Sequence, residues 1–97
     1  MTFILISLKD GLHDLQLRNI VWRPVASEIV RAEIVDGERG QMLAYHLCTQ
    51  VTAPEAAAIC EHLTRLVNNN ALPKDIDEET AKLVATFAAS SSGFEVC

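Results

Sequence analysis

The stretch EIVRAEIVDGERGQMLAYHLCTQV, residues 28–51, decides how the rest of the chain is read. Two mostly apolar arms, residues 28–35 and 41–51, flank Asp36-Gly37-Glu38-Arg39-Gly40, a short run of turn formers. In the first arm Val30, Ala32 and Ile34 alternate with Arg31 and Glu33; in the second Leu43, Tyr45, Leu47 and Val51 alternate with His46, Cys48 and Gln50. A period of two sends successive side chains to opposite faces of a strand. The stretch therefore reads as a β-hairpin with one core face and one mixed face.

Two further strands precede it on this reading. Residues 2–8 are a continuous apolar run with β-branched members, closed by Lys9-Asp10-Gly11, where Asp and Gly accept turn geometry. Residues 15–22 place Leu15, Leu17 and Val21 against Ile20 and Trp22 before Pro24 interrupts pairing. After Val51 the period changes. Thr52 can cap a helix with Pro54 and Glu55 in its first turn, and Ala56, Ile59, Cys60, Leu63, Leu66 and Val67 follow at spacings of three and four. Asn68-Asn69-Asn70 ends that helix. Asp75 with Glu78 resembles a capping box for a second one, carried by Thr80, Leu83, Val84 and Phe87 to about Ser90.

The element order predicted is β-β-β-β-α-α: a four-stranded antiparallel sheet with two helices on one face, an α+β two-layer sandwich. All 97 residues are expected to form one domain, with a β-rich half over 1–51, a helical half over 52–90 and a loose tail over 91–97.

Composition narrows the function classes. The chain is 49% hydrophobic and 22% charged, a balance that favours a packed core over disorder. Its net charge of −5 sits mainly in residues 51–97, which hold three basic and seven acidic side chains. Lys9, Arg18, Arg23, Arg31 and Arg39 are spread out and interleaved with acids, so direct nucleic-acid binding is not expected. The run Phe3-Ile4-Leu5-Ile6 is far too short to span a membrane and lacks the features of a leader. Cys48, Cys60 and Cys97 are an odd set without framework spacing, which fits reduced thiols and a cytoplasmic location.

No arrangement of residues commits the chain to catalysis. His46, Cys48, Cys60 and His62 are the right types for zinc, but helix positions 60 and 62 point about 200° apart. Cys48 with His46 on one strand face is the material of a thiol or metal-dependent enzyme, yet two residues along a strand separates them by roughly 6.5–7 Å. The acids Asp75, Asp77, Glu78 and Glu79 suit a helix N-terminus and lack the glycine and terminal glutamate of a calcium loop. No cofactor and no metal is expected.

The first strand is apolar at both odd and even positions: either it is central and the tail Phe94 to Val96 covers its second face, or the excess is a contiguous apolar patch of the kind that usually marks a partner. The expected surface combines Phe3 and Leu5, or Ile4 and Ile6, with Ile29, Val35 and Met42; Arg31 and His46 lie on the mixed faces. Trp22 beside Arg23 has the composition of a binding anchor. The reading that follows is a small non-enzymatic protein-binding module, such as an inhibitor, immunity factor or adaptor of bacterial or phage type. A homodimeric accessory protein is the second reading, and a thiol or metal-dependent enzyme using His46 and Cys48 the third.

Overall fold

A computed structural model describes residues 2–45 and 48–97. The order of elements is β1 (Thr2–Ser7), β2 (Leu15–Arg18), α1 (Asn19–Arg31), α2 (Gly37–Leu43), β3 (Thr49–Val51), α3 (Ala53–Asn68), α4 (Glu78–Ser90) and β4 (Phe94–Val96). The four strands form one antiparallel sheet in the order β2-β1-β4-β3. The protein is thus α+β with a four-stranded antiparallel sheet, and the described residues form four helices where two were expected.

The predicted hairpin over residues 28–51 does not form. Residues 28–31 finish α1, whose buried side chains Trp22, Val25, Ala26 and Ile29 recur at helical spacing. The apparent alternation of Val30, Ala32 and Ile34 belongs to a helix ending. Glu33 takes a positive φ of 59°, its N–H bonds to the Val30 carbonyl, and the Ile34 N–H reaches back to Ile29. That pair of bonds is a Schellman closure, usually signalled by glycine and here made by glutamate. Asp36-Gly37 then starts α2 instead of turning a hairpin, because the Asp36 carboxylate accepts the Arg39 backbone N–H and caps the helix.

The start of α1 was hidden for a related reason. Arg18 occupies its N-cap position without a side-chain cap, and no acid lies in its first turn. Pro24 lies inside the helix, where it deprives the Ile20 carbonyl of a donor near an exposed end. The expected strand over 15–22 therefore stops at Arg18. By contrast α3 follows its reading: Thr52 and Glu55 make a reciprocal capping box and Pro54 sits in the first turn. The next cap falls two residues later than expected, on Asp77, which accepts from the Thr80 N–H.

The largest correction concerns the tail. Residues 94–96 form β4, which lies between β1 and β3 and pairs with both. Gly93 delivers the chain there with a φ of 94°, in a place where a Cβ would stand 2.7 Å from the Val51 carbonyl oxygen. The first half of the chain correspondingly holds two helices and is not a β-rich unit.

Strand alternation then sorts the sheet. Phe3, Leu5, Leu17, Val51, Phe94 and Val96 are buried together with the apolar stripes of the helices in one continuous core. Ile4, Ile6, Gln16, Gln50, Glu95 and Cys97 fall on the other face, half-buried or exposed. The doubly apolar first strand lies inside the sheet, with neighbours on both edges, Phe3 and Leu5 in the core and Ile4 and Ile6 half-buried on the other face.

An arginine cluster and a disulfide add cross-links to this packing. Arg39 on α2 donates to the Gln50 carbonyl and to both oxygens of Glu55, fastening α2 to the corner between β3 and α3. Cys48 and Cys97, 49 positions apart in sequence, are joined in a disulfide, which corrects the expectation of three free thiols; Cys60 remains free. Closing a loop of that size lowers unfolded-chain entropy by about 4 kcal/mol in the loop model.

Two outcomes check this architecture. A chain truncated after Gly93 is expected to lose cooperative thermal unfolding by calorimetry, since the sheet would lose an interior strand; a normal transition would contradict the central position of β4. Glu33→Gly is expected to raise stability by about 0.5–1 kcal/mol in urea titrations, because glycine adopts the left-handed region without a Cβ penalty.

Candidate functional site: the groove between α1 and α2

Trp22, Val30 and Gly40 bring α1 and α2 together. The Trp22 indole N–H donates to the Leu43 carbonyl at 2.8 Å, and its ring is fully buried 6.3 Å from that of Phe3. A Cβ at Gly40 would meet Val30 Cγ2 at 2.4 Å, so glycine sets how closely α2 can approach. Between the helices, and running past the end of α2, lies a groove of about 350 Å³. Buried or half-buried Ala26, Val30, Gly40 and Ala44 make its floor, while exposed Ser27, Arg31, Gln41 and Tyr45 make its rim. Tyr45 is 59% exposed.

The outer face of α1 continues this surface. Ile20, Arg23, Ser27 and Arg31 follow at spacings of three and four, so they share one helix face. Ile20 is 78% exposed. The single acid of α1, Glu28, is buried at 3% exposure, which leaves the exposed charge of the helix wholly positive. In a protein of net charge −5, this helix is a local basic pole.

Glu28 also braces Arg31. Its carboxylate accepts from Arg31 Nε at 2.9 Å and Nη2 at 2.6 Å, a two-pronged pairing that fixes the guanidinium plane. His62 on α3 approaches the same carboxylate, with Nε2 2.8 Å from Oε2. An ionised carboxylate only accepts, so Nε2 carries the proton in this contact. The Arg31 hydrogen bonds hold the Glu28 carboxyl below its ordinary value, against the upward push of burial and with help from His62. The cluster joins α1 to α3 and orders one rim of the groove.

His62 also faces a separate cleft of about 220 Å³ with Ala32, Ile34, Ala58, Glu61 and Arg65. An imidazole oriented by a buried carboxylate resembles half of a general-base system. The lining of that cleft offers no hydroxyl or thiol for it to activate.

The predicted site residues separate on this framework. Phe3, Leu5, Trp22 and Ile29 are fully buried and Val35 is nearly so; they build the core and do not form a surface. Their burial corrects the expected patch, because Phe3 and Leu5 are the inward half of β1 while Ile29 and Val35 belong to helical packing. Met42 is half-buried on α2. Arg23 and Arg31 are exposed and come together on α1, and Trp22 acts from inside by anchoring the α2 wall. His46 lies outside the described residues. Cys48 is exposed, and its sulfur is bonded to Cys97.

Tyr45, Ser27 and Gln41 were missed. The strand period places Tyr45 on a core face, and only the helical period puts it past the end of α2 at the rim. Among the described residues no helix is long and apolar enough to cross a membrane. Compared with protein-family models, curated proteins and solved structures, the chain matches none.

The Glu28 cluster has a pH signature. A carboxylate with a depressed folded pKa stabilises the fold fully above its unfolded value, here 4.5, and loses that contribution as pH falls through the folded value. Glu28→Gln is therefore expected to cost about 2 kcal/mol near neutral pH. In urea titrations across pH, its gap from the parent should shrink below 4.5. A gap that stays constant into strong acid would rule out this account of Glu28.

Proposed function

We propose that the protein is a small non-enzymatic protein-binding module of the inhibitor, immunity-factor or adaptor kind, and that its partner enters the groove between α1 and α2. The observation that carries this reading is an apolar floor bordered by Tyr45 and by an ordered Arg31 on a helix with no exposed acid. Tyr and Arg are the residue types that concentrate binding energy, and a guanidinium already held in place loses less entropy when it engages. The partner chemistry that suits this surface is an apolar segment flanked by carboxylates, which Arg23 and Arg31 would attract while the acidic remainder of the protein repels other approaches. A cytoplasmic location, without membrane or nucleic-acid contact, belongs to the same proposal.

A homodimer is the second reading, favoured by half-buried Ile4 and Ile6 at the middle of the sheet face opposite the helices. The two readings use different faces. Affinity capture from the source cells should recover one partner with the parent protein, and Ser27→Trp or Arg31→Glu should reduce that recovery about tenfold or more. Ile4→Glu should leave it intact. Recovery that survives both groove substitutions would overturn the assignment, and light scattering that shows a dimer broken by Ile4→Glu would favour the second reading.

A further inference from the structure

The open sheet face carries a second group of chemistry-bearing side chains that the groove does not use. Thr49 on β3 pairs with Val96 on β4, so one step along the ladder Cys48 faces Cys97, with their Cα atoms 4.3 Å apart. Glu95 lies two residues before Cys97 on β4 and therefore projects to the same face. The donor atoms of Cys48, Glu95 and Cys97 all lie within 4.8 Å of one another. Cys48 is exposed, and the other two are half-buried.

We propose that, when the Cys48–Cys97 bond is reduced, the two sulfurs and the Glu95 carboxylate bind a zinc-class divalent ion on the sheet face. Three observations carry it. Zinc holds thiolate sulfur at about 2.3 Å and carboxylate oxygen at about 2.0–2.2 Å, which sets donors roughly 3.6–3.8 Å apart around a tetrahedral ion. Donors already within 4.8 Å reach that separation by side-chain rotation. The Glu95 side chain also makes no hydrogen bond or ion pair with another described residue, and its cross-strand neighbours Ile6 and Gln50 bring no cation. Finally, the sheet as well as the disulfide holds the Cys97 backbone: the Cys97 N–H donates to the Ile4 carbonyl at 2.9 Å, and the Ile4 N–H donates to the Cys97 carbonyl at 3.3 Å. The strands keep Cys97 in place after the sulfurs separate.

The exchange balances. A dithiol reductant gives up two electrons and becomes a disulfide, while the Cys48–Cys97 bond breaks and each sulfur gains one electron and one proton. Metal binding then releases the two thiol protons and leaves two thiolates, the carboxylate and a fourth position open to water. In the reverse exchange a disulfide oxidant takes two electrons and becomes a dithiol, the two thiolates re-form the Cys48–Cys97 bond, and the ion is released. The fold thus holds one site with two exclusive states, bonded sulfurs or bound metal.

The test uses the full chain, reduced with dithiothreitol and freed of it anaerobically, then titrated with Co²⁺ alone. The expected result is one equivalent bound with a thiolate-to-cobalt charge-transfer band, bleached by Zn²⁺ and absent from the oxidised chain. Cys60→Ser should keep the band and Cys97→Ser should abolish it. Glu95→Gln should weaken Co²⁺ affinity about tenfold or more while the thiolate band persists at saturation. No band on the reduced chain, a band that depends on Cys60 instead of Cys97, or no weakening in Glu95→Gln would overturn the proposal. Loss of the sheet on reduction, read by circular dichroism of the parent chain, would overturn it as well, because the site requires β3 and β4 in register.

Discussion

The insertion of Phe94–Val96 between β1 and β3 is the constraint on which the rest of the structure depends. Among the described residues β3 pairs with β4 alone, so without this insertion the corner leading into α3 would have no sheet to rest on. The inserted strand also supplies core. Phe94 and Val96 are fully buried, and the Phe94 ring meets Phe87 of α4 edge-on at 5.5 Å. One short segment thereby completes the backbone ladder and joins the sheet to the helical layer. Its entry requires Gly93, since the Val51 carbonyl leaves no room for a side chain.

The groove depends on a second, more local set of constraints. Trp22 and Gly40 determine how near α2 comes to α1, and Glu28 determines how Arg31 is held. A buried carboxylate is costly unless it is paired, and here it is satisfied from two helices at once. The consequence for the surface is electrostatic. With its only acid turned inward, α1 shows arginine to solvent, while Asp75, Asp77, Glu78 and Glu79 gather near the start of α4.

Legibility in the sequence followed the local signals. α3 was readable because its cap, proline, apolar stripe and terminal asparagines agree: Thr52 and Glu55 cap it, and Asn70 takes the positive φ that closes it. α1 was not, because its signals conflict. It begins on an uncapped arginine, contains Pro24 and ends on Glu33 where glycine would have announced the stop. Its last residues happen to alternate in polarity, and a short alternating run satisfies the strand period even inside a helix ending. The candidate site was lost with it, since Tyr45 reaches the groove only if residues 37–43 are helical. Residue type alone makes Arg23 and Arg31 binding candidates, without the helix that unites them.

By itself the sequence determined a packed α+β chain with an antiparallel sheet, an apolar first strand, a capped helix at residues 53–68 and a predominance of acid in its second half. These follow from short-range rules, in which each residue's preference is judged against neighbours a few positions away. Only the tertiary structure decided that the presumed tail is an interior strand, that Cys48 faces Cys97, that Glu28 meets His62, and that a groove opens between α1 and α2. Each of these joins residues far apart in the chain: 49 positions between the cysteines and 34 between Glu28 and His62. Their free energy comes from burial and pairing across that distance, which local preference does not encode.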